Sequence, residues 1–202
     1  MILAGGSSDK FGQNKALLYL EDKPLVLHVL DKISEVVEEK MVVVKTKEQE
    51  NQLRKTLKTR AEIIVDEYEV QTPLAGAYTG FKHAKNEYAL LLSCDMPFIS
   101  SDVARLLLEC CVNVSAAISR SPEGSIEPLQ AAFHAKSAAK AAQTALEHGE
   151  LEMTGMIVCM RNVRYISTLV LRQLDPKLYT FFKINGQIDL KRAESLVKTL
   201  KT

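Results

Sequence analysis

Three short stretches hold residue types that could do phosphate chemistry. The first is Leu3-Ala4-Gly5-Gly6, followed by Lys10, Gly12 and Lys15. Gly5 and Gly6 have no Cβ, so the backbone can turn sharply and come close to a ligand. Consecutive amides in such a turn make a nest for an anion, and Lys10 and Lys15 add mobile positive charge. The glycine spacing is not that of a Walker A loop, and Ala16 rather than Ser or Thr follows Lys15. The G-x-G-x-x-G of dinucleotide sites is also missing. The competing reading is a structural turn with solvated lysines.

The second stretch is Ser93-Cys94-Asp95-Met96-Pro97, where Asp95 closes an apolar run. Alone, such a carboxylate reads as a turn or helix cap. Facing a phosphate-binding turn, it suits Mg²⁺, which takes one or two carboxylates together with phosphate oxygens and water. The third is Pro73-Leu74-Ala75-Gly76-Ala77-Tyr78-Thr79-Gly80. At helical spacing Gly76 and Gly80 share a face, open to another packed element or to a flat base or ribose.

These stretches sit within an alternating pattern. Strands are expected at "MIL", "KMVVVK", "AEIIV", "YALLLS", "VSAAISR" and "LQAAFH". Between them fall helical segments. Leu25, His28, Val29 and Ile33 share one helical face; a charged helix with few apolar anchors covers 46–57; and a proline opens the helix at 73. A capped helix follows Asp95, an alanine-rich one ends at Gly149, and a last helix begins near Asp189. Alternation at this spacing predicts an α/β fold, a mainly parallel central sheet with helices on both faces. In such sheets ligands sit at the carboxyl ends of the strands, where the glycine turn and Asp95 both fall. Three residues ahead of Ala4 are short for a strand of about five or six. The expectation is that native residues precede Met1.

The bulk numbers fit this reading. The chain has 202 residues, 47% hydrophobic and 25% charged, which suits one domain with a sizeable core. A net charge of +1 gives no electrostatic case for nucleic acid. No apolar run reaches the length of a membrane span, and no leader pattern precedes the first motif, so a cytoplasmic location is expected. Cys94, Cys110, Cys111 and Cys159 form no CxxC pair and read as buried reduced thiols. The histidines have no evident catalytic partner; His134, after its strand, is the one that could approach a pocket.

Taken together, the stretches resemble the molybdenum cofactor guanylyltransferases, within the nucleotidyltransferases that carry L-A-G-G-x-x-x-R-[MF]-G-x-x-K. The likeness covers "LAGGSSDKFGQNKALL", "TPLAGAYTG", "LLLSCDMPFIS", "IEPLQAAFH" and "FFKINGQIDLKRAE". It implies a three-layer α/β/α Rossmann-like nucleotidyltransferase fold over 1–202. The implied reaction moves GMP from GTP to the terminal phosphate of molybdopterin and releases pyrophosphate, with Mg²⁺. By resemblance, Leu3, Ala4, Gly5 and Gly6 meet the nucleotide through backbone, Lys15 meets its phosphates, and Asp66 and Gly76 flank it. Asp95 holds Mg²⁺, Lys10 and Lys15 offset charge at the reacting phosphates, and Asn185 lies toward the pterin. Molybdoenzyme apoproteins or other cofactor-biosynthesis proteins are implied as further partners.

The sequence departs from the family pattern at three places. Lys10 replaces an arginine and so loses its two-pronged grip on phosphate. Thr72 replaces a glycine, and Lys183 replaces the first of two late asparagines. Three alternatives stay open on the sequence: CMP transfer to molybdopterin, nucleotidyl transfer to a sugar phosphate or other phosphorylated acceptor, and nucleotide binding for cofactor handover without catalysis.

Overall fold

The computed structural model describes residues 1–8, 13–68, 70 and 72–201, without the side chains of Ser7, Ser8 and Lys201. Its central sheet comprises β1 (Ile2–Leu3), β2 (Met41–Val44), β3 (Glu62–Val65), β4 (Tyr88–Ser93), β5 (Ala116–Arg120), β6 (Ile126–His134) and β7 (Val163–Ser167). The spatial order is β7-β5-β6-β4-β1-β2-β3. β1 pairs in parallel with both β2 and β4, and β2 with β3; β6 is antiparallel to its neighbours β4 and β5, and β7 runs parallel to β5. The expected mainly parallel sheet is therefore present, with β6 as the strand that reverses.

The helices are α1 (Leu25–Ile33), α2 (Lys47–Leu57), α3 (Pro73–His83), α4 (Ser101–Cys111), α5 (Ala135–Glu147), α6 (Met153–Val158), α7 (Thr168–Leu171) and α8 (Gln187–Lys201). Alternate strand residues divide between two cores. Ile2, Val42, Val44, Leu90, Leu92 and Ala117 pack with α1, α2 and α4. Met1, Met41, Leu91, Ala116, Ile118 and Phe133 pack with α3, α5 and α6. Strands buried on both faces read as continuous apolar runs, which is why they were recognisable. The result is three layers, α/β/α. α2 has better anchors than its charge suggests, because Leu53 and Leu57 are fully buried.

α8 docks separately, its Ala193 packing with Leu18, Leu20, Leu25 and Ile184. The segment before it is pinned by Thr180, whose hydroxyl oxygen accepts from Gln130 Nε2 at 3.0 Å and from the Ser100 amide at 3.2 Å. Among the described residues no helix is long and apolar enough to cross a membrane.

Candidate active site

The strand order switches direction between β1 and β4, and such a switch point opens a crevice at the carboxyl ends. Hydrogen bonds from the residues just past each strand fix the crevice floor. The Ala4 amide donates to Val43 O at 2.8 Å, Asp66 N to Val44 O at 2.7 Å, and Cys94 N to Leu3 O at 3.1 Å. Above this floor lies a cavity of about 310 Å³ lined by Leu3, Gly5, Gly6, Lys15, Lys45, Asp66, Thr72, Gly76, Asp95 and Lys183, among others. Stretches far apart in sequence thus converge because each follows a strand of one parallel set.

Asp95 is 5% exposed. Its Oδ1 accepts from Ser93 Oγ at 2.6 Å, and its Oδ2 lies 3.2 Å from Lys15 Nζ. Lys15 reaches it because the chain doubles back: Ser7–Ser8 pairs antiparallel with Gln13–Asn14, and Asn14 caps the following turn by accepting from the Ala16 amide. Each carboxylate oxygen has acceptor capacity beyond its one contact, and Asp95 lines the cavity. Among the described residues no three His, Cys, Asp or Glu side chains form a metal cage. A single buried carboxylate beside a phosphate site still fits Mg²⁺, which completes its shell with phosphate oxygens and water.

Asp66 is held by two donors on one oxygen: Thr79 Oγ1 at 2.6 Å and the Tyr68 amide at 3.1 Å both reach Oδ1. Oδ2 is left on the side of Gly76, where an added Cβ would sit 3.9 Å from it. The two glycines of α3 play different parts. Gly76 lines the cavity, whereas a Cβ on Gly80 would come 2.6 Å from Met1 Sδ, so its lack of a side chain serves packing on the sheet. The α3 N-terminus, capped by Thr72 Oγ1 accepting from Ala75 N at 3.2 Å, brings a partial positive charge to the cavity wall.

The expected residues fare differently. Lys10 lies outside the described residues. The Ala4 amide is spent on Val43, so it is not free to cradle phosphate, while the Gly5 and Gly6 amides have no acceptor among the described residues. Asn185 is exposed at the α8 entrance, its amide donating to Asp189 Oδ2 at 3.0 Å. Lys183 lines the cavity, and the next residue ties it there, Ile184 N donating to Asp95 O at 2.9 Å. His134 sits where β6, running against β4, carries it to the amino end of the parallel strands, and its Nδ1 caps α5 by accepting from Ser137 N at 3.2 Å. Cys94 and Cys111 are buried as expected, but Cys110 is half-buried and Cys159 exposed, all as free thiols. Burial pushes the Cys94 thiol well above its ordinary range and the neighbouring Asp95 carboxylate adds to this, so no thiolate nucleophile is at hand.

Lys45 lines the cavity, and Gln49 and Glu127 act on residues that line it; none of the three stands out in the sequence. Lys45 follows β2 directly. Gln49, in the first turn of α2, holds both Lys45 and Gly5 by hydrogen bonds. Glu127 has its carboxyl raised by burial, against the pull of Lys183 and with a push from Asp95. The signal for Lys45 was position alone: it closes an apolar strand next to the glycine turn.

Comparison with known proteins agrees with this arrangement. A family model described as the MobA-like NTP transferase domain matches residues 1–158. A Methanosarcina mazei protein named probable molybdenum cofactor guanylyltransferase is 30% identical over 196 residues, covering 95% of this chain and 87% of its own length. A Desulfosudis oleivorans protein named molybdenum cofactor guanylyltransferase is 28% identical over 200 residues, covering 98% and 95%. Among solved structures, molybdopterin-guanine dinucleotide biosynthesis protein A of Archaeoglobus fulgidus superposes with a TM-score of 0.84 at 28% identity, over 98% of this chain and 97% of that one.

Proposed function

Because the chain belongs to the MobA-like NTP transferase family, a nucleotidyltransferase family, we propose that residues 1–202 act as one domain that joins GMP from GTP to the terminal phosphate of molybdopterin. An acceptor phosphate oxygen forms the new bond to the α-phosphorus. The bond from that phosphorus to the bridging oxygen of the β-phosphate breaks, and pyrophosphate leaves with the electron pair. A phosphate monoester has a second pKa near 6, so the nucleophile is already ionised at neutral pH. No general base is needed, which agrees with a cavity whose thiol is pushed up by burial and whose described lining includes no histidine.

The difficulty is bringing an anion to a polyanion, so catalysis rests on positioning and charge. Asp95 would hold Mg²⁺, which when bound neutralises phosphate charge. Lys15 faces both Asp95 and the cavity, so it can transfer its contact to a phosphate. The Gly5 and Gly6 amides would take phosphate oxygens. Asp66 Oδ2 offers an acceptor for nucleotide N–H or O–H groups. Lys183, which lines the cavity, would meet the acceptor's phosphate, with Asn185 toward the pterin. Lys10 would add charge at the leaving pyrophosphate. A cytoplasmic location follows from where nucleoside triphosphates are made.

The observation that carries this reading is the Lys15–Asp95 pair facing the glycine turn across one cavity. The test is pyrophosphate release with Mg²⁺ and molybdopterin, supplying GTP, CTP and ATP in parallel. Release with GTP alone is expected. Release with CTP keeps the mechanism and changes the base; binding without release points to cofactor handover.

A further inference from the structure

Gln49 uses both ends of its side-chain amide on backbone that lines the cavity. Its Oε1 accepts from Lys45 N at 2.8 Å, and its Nε2 donates to Gly5 O at 3.2 Å. Gln49 is itself fixed in the first turn of α2, where its own amide donates to Thr46 Oγ1 at 3.2 Å. The two tied segments touch: a Cβ on Gly5 would lie 3.1 Å from Lys45 N. One side chain therefore joins the turn after β1 to the end of β2.

The direction of one bond gives this contact a consequence. The Gly5–Gly6 peptide is trans, so its carbonyl and its N–H point opposite ways. With Gly5 O drawn toward α2, the Gly6 N–H points away from α2, and Gly6 lines the cavity. Two glycines in succession put little steric resistance in the way of a peptide flip. A flipped peptide would present its carbonyl dipole to a phosphate, and the site would repel what it should bind.

We propose that Gln49 is a positioning residue of the nucleotide site, holding the Gly5–Gly6 peptide so that the Gly6 N–H faces the phosphates. This rests on reading the cavity as a nucleoside triphosphate site. The role differs from a structural one because it acts on the phosphates and leaves the base side alone.

The test uses the full chain and three variants. Gln49→Glu keeps the acceptor for Lys45 N but sets a carboxylate oxygen against Gly5 O. Gln49→Leu removes both contacts. Gln52→Glu, on the exposed side of the same helix, controls for added charge. Binding of GTP and of guanosine is followed by NMR titration, with thermal melts alongside. Both Gln49 variants should bind GTP about tenfold or more weakly, the scale of one lost or reversed hydrogen bond. Guanosine affinity should stay near wild type, and Gln52→Glu should match wild type for both. Should Gln49→Leu not fold, Gln49→Glu carries the test. Undiminished GTP binding in a folded Gln49 variant, or equal losses for GTP and guanosine, would overturn the assignment. A wild type that takes another triphosphate moves the same comparison to that nucleotide and its nucleoside. A wild type that binds no triphosphate instead sinks the functional reading on which the proposal rests.

Discussion

Lys15 Nζ lies 3.2 Å from Asp95 Oδ2, although eighty residues separate them in the chain. The pair is mostly shielded from solvent, with the side chains 16% and 7% exposed. It places one cation and one carboxylate at the same cavity wall, ready to be shared with a phosphate and a divalent ion.

If the two act as a unit, their losses do not multiply. Asp95→Asn and Lys15→Met should each lower kcat for pyrophosphate release by roughly 10²–10³-fold. The double variant should fall little below the worse single one. Lys15→Met should also destabilise the fold by about 1–3 kcal/mol, because Asp95 is left buried without its cation. Thermal melts and turnover on the same samples check both points. Multiplicative losses would mean that the residues work independently.

Much of this site could be read from the chain because parallel strands gather sequence-distant ends. β2 and β4 are apolar runs, and the residues just past them had to reach the carboxyl edge. Gly5, Asp66 and Asp95 follow from that rule, whereas Lys15 arrives by the doubling back of the chain and Gly76 on α3. β7 did not stand out, since an edge strand with exposed Arg164 and Tyr165 buries too little to show a pattern. His134 ends at the opposite edge because β6 runs backwards, which nothing in "LQAAFH" tells. Gln49 was hidden for another reason: a polar residue in a charged helix looks solvated until the loop it ties is known.

Glu127 gives a pH signature. Burial raises its carboxyl, with Lys183 acting against the rise. Between the ordinary carboxylate value of about 4.3 and the raised one, the folded state binds more protons than the unfolded state. The stabilising contribution is therefore complete below the ordinary value and is lost as pH rises through the raised one. Glu127→Gln cannot ionise and escapes this loss. Its melting temperature relative to wild type should climb as the pH rises from the ordinary carboxylate value through the raised one. A difference that stays flat with pH would remove Glu127 from the account.

The thiols should separate by burial. Cys159 is exposed and Cys94 and Cys111 are buried; burial also pushes the Cys111 thiol up to about 11. Iodoacetamide at neutral pH should modify Cys159 in the native protein and spare the other two, as read by peptide mass spectrometry. Turnover should survive the treatment. Loss of activity matched to labelling of Cys94 would reopen the question of a thiol in the mechanism.

The paired glycines of the turn should respond unequally to alanine. Neither Gly5 nor Gly6 has a positive φ, so the requirement is space. A Cβ on Gly5 would meet Lys45 Cβ and N at 3.1 Å, while one on Gly6 meets nothing within 4 Å. Gly5→Ala must push the turn away from the end of β2 and strain the Gln49 bridge, at a cost of about 1–3 kcal/mol. It should lose stability and triphosphate affinity together. Gly6→Ala should melt close to wild type, with any effect confined to ligand binding, since its Cβ enters the open space of the cavity. Melting curves and GTP titrations of the two variants decide it: if Gly6→Ala is the less stable of the pair, the close contact between the turn and Lys45 does not set the geometry of this site.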